Sequence, residues 1–357
     1  MPTRREFLGA SSAAVAASLV TTLDAQAQGD PVPPSIRALS SMGGLAQPIT
    51  VAERQGRLEK ARRIMARERL DGLLLTGGTS LKYFTNISWG LSERLLGLVL
   101  PREGRAFVVC PAFERDRALE QIEAGPLKGT ADVLTWEEHE NPHQRIAEGL
   151  RALGITTGRL GVEETVRAGF TMGAAAAIPA LQLASGTAVT AGCRGVKDSH
   201  EIALMRLASR VTLKAYEAAY LALKDGMTQN DFASLVATAH DKLGFPGGAG
   251  VQVGKYSALP HGSATPQVIR EGTILLIDGG CQVEGYSSDL SRTFVLGRAT
   301  GRMKQVFAIE QQAQRAALAA AKPGVECQAV DAAARKVIVD AGFGPDYKYF
   351  THRVGHG

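Results

Sequence analysis

Asp278 and Asp289 are the side chains whose type and spacing most directly suggest chemistry in this sequence. They lie in the segment TILLIDGGCQVEGYSSDLSRTF, on opposite sides of Glu284-Gly285, a dipeptide that suits a two-residue hairpin turn. If those two residues form the turn, Asp289 lies opposite Gly280. Because side chains alternate along a strand, Asp278 then points to the same face as Asp289, one diagonal step away.

Two carboxylates placed in this way could hold metal ions. Diagonal neighbours lie roughly 7–8 Å apart at the backbone, and side chains that lean inward from there can share two ions roughly 3.5–4 Å apart. Two like charges on one partly buried face also favour a cation or a shared proton between them. On spacing alone, a solvated hairpin face with scattered acids is an equally good interpretation.

Three histidines complete the candidate set. His261 precedes Asp278 by seventeen residues, and His352 and His356 lie four apart at the end of the chain. The neighbouring glycines argue against a regular helix there, so a glycine-rich strand or bend is the better description. Another pair with the same spacing, His139 and His143, is interpreted as surface loop histidines.

The elements that must position these side chains follow from apolar runs and capping pairs. Ile274–Ile277 and Leu290–Leu296 predict the two arms of the hairpin. Two helices are predicted upstream, one that begins after Asp198 and one that begins after Thr228. Alternating strands and helices over residues 51–193 predict an α/β domain, and residues 194–357 a second domain. Residues 29–50, rich in Pro, Ser and Gly, are predicted to be a linker or a loosely held arm.

Composition limits the class of protein. A chain of 357 residues predicts two domains, and 45% hydrophobic residues supply enough material for a core. The net charge of +5 comes from 40 basic and 35 acidic residues that are well mixed, so no nucleic-acid partner is expected. The four cysteines (Cys110, Cys193, Cys281 and Cys327) contain no C-x-x-C pair, which argues against a zinc ribbon and a disulfide framework. Cys281 is interpreted as a small strand residue.

The N-terminus predicts export. Arg4-Arg5 stands before a short, Ala-rich apolar region and an A-x-A site at Ala25-Gln26-Ala27, the layout of a twin-arginine signal over residues 1–28. The alternative is a disordered basic N-terminus. The apolar region is too short for a membrane span, and no cysteine follows it, so no stable membrane anchor is expected. The predicted location is periplasmic or secreted.

At the residues named above, the sequence resembles the metallopeptidase family of Xaa-Pro aminopeptidases, prolidases and methionine aminopeptidases. RGVKDSHEI resembles the family's entry into its catalytic domain, SALPHGSATPQ its loop histidine, and LIDGGCQVEGYSSDLSRTF its two-aspartate hairpin. HRVGHG is similar to the start of its histidine motif, and YFTNISW and GLVLP follow the order of a creatinase/prolidase N-terminal domain. The resemblance implies an α/β N-terminal domain followed by an α+β pita-bread domain.

The resemblance also implies roles for the candidate residues. Asp278, Asp289 and His356 would bind two divalent metal ions, with Mn²⁺ expected and Co²⁺ or Zn²⁺ as alternatives. His261 and His352 would contact the substrate and stabilise the tetrahedral intermediate. The implied reaction is hydrolysis of a short peptide at an Xaa-Pro bond, by an aminopeptidase or dipeptidase. We also expect a homodimer.

One departure from the family pattern affects the expected activity. The family completes its metal site with two glutamates on strands downstream of the histidine motif, and no residue before Gly357 can be assigned to those roles. We therefore expect the pita-bread domain to be truncated, with weak metal binding and little turnover by the 357-residue polypeptide. Robust Mn²⁺-dependent cleavage of an Xaa-Pro peptide by this polypeptide would contradict that expectation.

Two alternatives stay open at this point. Relatives with the same fold include metal-free creatinase, other small-amide hydrolases and a metal-dependent lyase. Because both hairpin aspartates are present, the metal-free group is disfavoured, but the lyase is not. The other alternative is a non-catalytic remnant that acts through its N-terminal domain.

Overall fold

The computed structural model describes residues 32–355. They form two compact units, and each is described separately. The N-terminal unit contains residues 44–208 and 282–287, and the C-terminal unit contains residues 32–43, 209–281 and 288–355. The predicted export signal over residues 1–28 lies outside the described residues, as does His356. The predicted domain bounds, 51–193 and 194–357, stay a prediction.

The helices and strands alternate along most of the chain. In chain order, the helices are α1 Pro34–Arg37, α2 Val51–Glu68, α3 Thr79–Thr85, α4 Arg115–Glu123, α5 Pro142–Ala152, α6 Ala168–Ala177, α7 Thr187–Arg194, α8 Ser199–Tyr220, α9 Gln229–Leu243, α10 Gly301–Ala320 and α11 Cys327–Asp340. The strands are β1 Gly72–Thr76, β2 Gly97–Pro101, β3 Ala106–Pro111, β4 Ala131–Trp136, β5 Gly158–Val162, β6 Leu181–Ser185, β7 Gly247–Val253, β8 Ile274–Val283, β9 Tyr286–Ser287 and β10 Leu290–Val295. No helix within residues 32–355 is long and apolar enough to span a bilayer.

The N-terminal unit is built on a six-stranded sheet in the order β4-β3-β2-β1-β5-β6. Strand β2 runs antiparallel to β1 and β3, and the other neighbours pair in parallel. Strands β1, β2 and β3 are buried along their whole length, as expected for a mostly parallel sheet covered on both faces. The predicted α/β class of this part of the chain is confirmed.

Helix α2 shows how sequence fixes an element of this unit. Thr50 and Glu53 form a capping box at its N-terminus, and Arg69 ends it in the left-handed conformation. The predicted apolar face (Leu58, Ala61, Ile64 and Met65) is buried in the core beneath the sheet. Three-to-four-residue spacing of apolar side chains was therefore sufficient to orient this helix.

The interpretation of His143 as a surface loop residue is wrong. Pro142 occupies the first position of α5, where its missing N–H is tolerated, and His143 follows it in the first turn. The ring is half-buried against Phe170, and burial lowers the pKa of His143. His139 lies in an exposed turn, as predicted.

The predicted loose arm over residues 29–50 is wrong for the stretch around α1. Ile36 is fully buried in the C-terminal unit. Ser35 Oγ donates to the carbonyl of Ala218 over 2.8 Å, and the Met42 N–H donates to the carbonyl of Leu243 over 2.8 Å. The buried Ile36 side chain and these two hydrogen bonds therefore anchor the segment.

The C-terminal unit is built on an antiparallel sheet in which β8 lies between β7 and β10. Strand β9 pairs with the last two residues of β8, within residues 282–287. Helix α9 begins at the predicted capping box of Thr228 and Asp231 and ends at Gly244 in the left-handed conformation. Its apolar face meets the buried face of the sheet in one core, which includes Phe232, Val236, Val251, Leu275 and Ile277. The candidate side chains are carried by the opposite face of β8 and by the loops beside it.

Candidate active site

The hairpin has the predicted turn and register. Glu284 and Gly285 both have positive φ angles, 52° and 88°, as a type I′ turn requires. Val283 pairs with Tyr286 on the near side of the turn. Leu290 pairs with Gly279 further along. The register is the same before and after Ser288 and Asp289, so no residue is inserted and Asp289 lies opposite Gly280.

Alternating burial shows which face carries the aspartates. Leu275, Ile277, Cys281 and Val283 are buried on one face of β8, and Asp278 is exposed on the other. Residues that pair directly across an antiparallel ladder point to the same face. Asp289, opposite Gly280, therefore shares the exposed face with Asp278. The register on either side of Asp289 agrees with the predicted arrangement of the two carboxylates on one face.

Sequence reasoning missed two further side chains that bear on these carboxylates. Ser291, which pairs with Asp278 across the ladder, donates a 2.6 Å hydrogen bond to its Oδ1. The Tyr216 hydroxyl donates to the carbonyl of Leu290 over 3.0 Å. Burial raises the pKa of Tyr216, and the negative charges of Asp278 and Asp289 raise it further. Both carboxylates therefore lie within electrostatic range of a single phenol.

The opposite face of the hairpin is held by a buried polar network. Ser288 Oγ accepts the Cys281 N–H over 3.0 Å and lies 2.8 Å from Thr212 Oγ1. Thr212 Oγ1 lies 3.3 Å from Nε2 of His240, and Nδ1 of that ring lies 2.9 Å from the carbonyl of Val236. Burial lowers the pKa of His240. Cys281 is buried, which confirms its interpretation as a small strand residue.

His261 lies in an exposed loop that glutamines hold against β7. Gln252 Oε1 accepts the Ser263 N–H and a Gln267 Nε2–H bond, each over 3.0 Å. Gln267 Oε1 in turn accepts the Val253 N–H over 2.6 Å. No motif in the sequence signalled these glutamines, because their partners are backbone N–H groups 11 and 14 residues away and each other's side chains, 15 residues apart.

The structure brings His261 and His352 together. Their ring centroids lie 6.4 Å apart with an interplanar angle of 79°, and both side chains are exposed. Two exposed imidazoles at this separation can both reach a small polar group bound beside them. The catalytic roles of His261 and His352, and the metal-binding roles of Asp278, Asp289 and His356, stay predictions.

The donor set fits a hard divalent cation in part. Asp278 and Asp289 supply carboxylate oxygens, which Mn²⁺ and similar ions prefer. Within residues 32–355, no three histidine, cysteine or acidic side chains lie close enough to hold a metal ion together. The predicted third ligand, His356, lies outside that part of the chain.

Comparisons with known proteins agree with the sequence motifs. Residues 57–196 match the model of the creatinase/prolidase N-terminal domain, and residues 203–357 match that of metallopeptidase family M24. The chain is 33% identical over 294 residues to a probable dipeptidase PepE of Mycobacterium tuberculosis, covering 81% of this chain and 75% of that protein. It is 29% identical over 316 residues to the Xaa-Pro dipeptidase of Lactobacillus delbrueckii subsp. lactis, covering 84% of this chain and 81% of that protein.

Solved structures support the same assignment. Dipeptidase PepE from Mycobacterium ulcerans superposes with a TM-score of 0.78 at 30% identity, over 87% of this chain and 82% of that one. A prolidase from Thermococcus sibiricus gives 0.76 at 26% identity over the same shares. These matches confirm the predicted fold class, a creatinase-type α/β domain followed by a pita-bread domain, and the predicted hydrolase class. The chain belongs to metallopeptidase family M24.

Proposed function

We propose that this protein hydrolyses short peptides at Xaa-Pro bonds, as a dipeptidase or aminopeptidase. The observation that supports this most strongly is the register of the hairpin, which places Asp278 and Asp289 on one exposed face. The names of the relatives, an Xaa-Pro dipeptidase and a prolidase among them, support the substrate class.

We propose that Asp278, Asp289 and His356 hold two Mn²⁺ ions, with Co²⁺ or Zn²⁺ as alternatives. When bound, such ions lower the pKa of a water molecule and polarise the scissile carbonyl. The Ser291 hydroxyl donates to one carboxylate oxygen of Asp278. This hydrogen bond fixes the orientation of the carboxylate, and so the direction of its other oxygen. The Tyr216 hydroxyl, whose pKa is raised, stays protonated and keeps its hydrogen bond to the strand residue next to Asp289.

The two neighbouring imidazoles supply the proton-donating side of the site. A ring N–H of His261 or His352 would donate a hydrogen bond to the oxygen on which negative charge develops during attack on the carbonyl. The Gln252–Gln267 pair would hold the His261 loop in place while the peptide binds. This leaves the hairpin face to bind metal and the loop to stabilise charge on the substrate.

The test uses the purified protein, stripped of metal by a chelator and then reconstituted separately with Mn²⁺, Co²⁺ and Zn²⁺. Xaa-Pro dipeptides, matched Xaa-Ala dipeptides and Xaa-Pro tripeptides are compared as substrates. We expect cleavage that depends on the added ion and favours the Xaa-Pro series. A fully active chelated protein, or equal cleavage of the Xaa-Ala series, would contradict the proposal.

Variants of the hairpin make this test specific. D278N and D289N are expected to weaken Mn²⁺ binding and kcat/KM by about a hundredfold or more, because even outer-shell partners of metal ligands contribute about 10–100-fold. E284Q, in the exposed turn of the same hairpin, is the matched control and is expected to retain both. Wild-type metal affinity in D278N would refute the assignment.

We also propose that the protein is exported through the twin-arginine pathway and acts as a homodimer in the periplasm or outside the cell. The sequence layout of residues 1–28 supports export. Replacing Arg4 and Arg5 with lysine should retain the protein in the cytoplasm, and sedimentation of the exported form should give twice the chain mass. Export of the double variant at the normal rate, or a monomeric mass, would count against these proposals.

A further inference from the structure

The segment that carries His352 has no helix or strand to hold it. Residues 343–355 form turns and bends after α11, and the His352 side chain is exposed. Such a segment would be expected to move freely unless other groups bind its backbone. Its backbone carbonyls are instead bound by one side chain of α11, that of Arg335.

The Arg335 guanidinium uses every donor that it has. Nε and one Nη2–H donate to the two oxygens of Asp331, over 3.0 and 3.3 Å. The remaining donors reach three carbonyls of the terminal segment, those of Asp346 at 3.3 Å, Phe350 at 2.7 Å and His352 at 2.8 Å. A guanidinium has five N–H groups, and all five are accounted for here.

Aromatic rings and Asp331 complete the contact. The guanidinium carbon lies 4.0 Å from the centroid of the Tyr347 ring and 4.4 Å from that of Phe350, so two rings of the same segment contact the cation. Asp331 Oδ1 also accepts the Val354 N–H over 2.8 Å. The side chains of Arg335 and Asp331 are only 12% and 19% exposed. This partial burial strengthens the ion pair relative to one in open solvent.

We propose that Arg335 is a positioning residue, held by Asp331, that fixes the backbone of residues 346–354 so that His352 stays beside His261. The inference rests on the proposed function, in which these two histidines act on the substrate. Arg335 itself acts only through the backbone carbonyls that it binds, that of His352 among them.

The chemistry of the contact explains why an arginine is needed. Three carbonyls and a carboxylate lie around one planar group, and the guanidinium reaches all of them in a fixed fork. A lysine ammonium has three donors at one point and cannot span the same set. R335K therefore keeps the positive charge but removes the planar fork of N–H donors, which makes it the informative variant.

The experiment compares R335K with K336A in the full chain. Lys336 is the next residue on α11, and its ion pair with Asp340 is exposed at 74% and 59%, so K336A tests for a general effect of altering the helix. In R335K we expect amide hydrogen exchange at Val354 to rise about tenfold or more, as hydrogen bonds that hold the segment are lost. We expect kcat to fall about 10–100-fold with little change in KM, and K336A to change neither quantity.

Other outcomes decide against the proposal. Unchanged exchange at Val354 in R335K would show that Arg335 does not order the segment, and faster exchange with unchanged kcat would show that the order does not serve the reaction. Should R335K fail to fold, Y347L removes one exposed ring from the cation, and the same two readouts apply with smaller expected changes. Unchanged values in Y347L would then overturn the proposal.

A separate readout keeps the two proposals apart. If the wild-type protein cleaves no peptide, the proposed function fails, whatever Arg335 does. The nuclear Overhauser effect between the His261 and His352 imidazole protons then tests the positioning role of Arg335 alone. Its loss in R335K and retention in K336A would support the positioning role, and its retention in both would overturn it.

Discussion

Replacing Glu201 with glutamine should strongly destabilise the N-terminal unit. Glu201 and Arg57 form an ion pair at 3.5 Å with side chains only 3% and 7% exposed. The Tyr286 hydroxyl lies between them, donating to Glu201 Oε1 over 2.8 Å and accepting from Arg57 Nη2 over 2.9 Å. Glu201 also accepts the Asp198 N–H over 2.8 Å at the start of α8, which confirms the predicted capping pair.

The magnitude follows from the geometry. At 3.5 Å and an effective dielectric constant of about 20, the attraction between the two charges is about 5 kcal/mol. Removing one member of a buried pair leaves the other without a counter-charge, which typically destabilises by about 3–5 kcal/mol. Glutamine is similar in shape but cannot accept at both positions, so about 1 kcal/mol of capping is lost as well. We expect the free energy of unfolding to fall by about 3–5 kcal/mol in E201Q.

The assay can be confined to this unit. The chain has two tryptophans, Trp89 and Trp136, and both lie in the N-terminal unit. Urea unfolding followed by tryptophan fluorescence therefore reports the stability of this unit without a signal from the other. A midpoint shift with an unchanged slope would identify a change in stability and not in the denatured state.

A double-mutant cycle separates the ion pair from other effects. R57M alone should be as damaging as E201Q, because it leaves a buried carboxylate unpaired. R57M/E201Q should be less unstable than the sum of the single variants by about 2–3 kcal/mol. The control is D132N, which breaks the exposed Arg105–Asp132 pair and should change stability by less than about 1 kcal/mol. A loss in E201Q no larger than in D132N, or a coupling near zero, would refute the reasoning.

Two further predictions concern the C-terminal unit. Burial lowers the pKa of His240, so below pH 6.5, the usual pKa of histidine, the unfolded chain binds more protons than the folded one. The unit should keep its full stability above about pH 6.5 and lose up to about 1.4 kcal/mol per pH unit below it. Amide exchange in α9 measures this loss, and an H240Q variant with the same pH dependence would contradict the assignment to His240. In G280A, the new Cβ would lie 2.0 Å from the Ser288 carbonyl oxygen, whereas the partner position Gly248 has open space. G280A should therefore lower the melting temperature and weaken Mn²⁺ binding much more than G248A does, and equal effects of the two variants would count against this view of the hairpin.

The sequence was sufficient wherever the determinants are local. The Glu284-Gly285 turn fixes the register because two residues with positive φ leave only one way to pair the strands. Once the register is fixed, the alternation of side chains places Asp278 and Asp289 on one face. The helix starts at Asp198 and Thr228 follow from short-range hydrogen bonds in the same way.

What the sequence did not predict depends on contacts between distant parts of the chain. Tyr286 meets Arg57, 229 residues earlier, and Tyr216 meets the Leu290 carbonyl, 74 residues later. Neither pair has a spacing signature, since the partners are brought together by packing alone. His143 differs from its predicted surface-loop position because its ring packs against Phe170, 27 residues later, and the helix that carries it begins at Pro142, where proline is favoured.

The two faces of β8 separate the chemistry of the hairpin from its packing. The buried face carries Ile277 and Cys281, and a polar network joins Cys281 through Ser288 to Thr212. The exposed face carries Asp278, whose charge remains in solvent and therefore needs no buried partner to be tolerated. Two like charges can then lie near each other at little cost to folding, because the stability of the strand comes from its buried face.

It follows that D278N should leave stability almost unchanged while it weakens metal binding. I277A should lower stability and leave metal binding almost unchanged. Comparable loss of stability in both variants would mean that the acidic pair is part of the fold and not of a metal site.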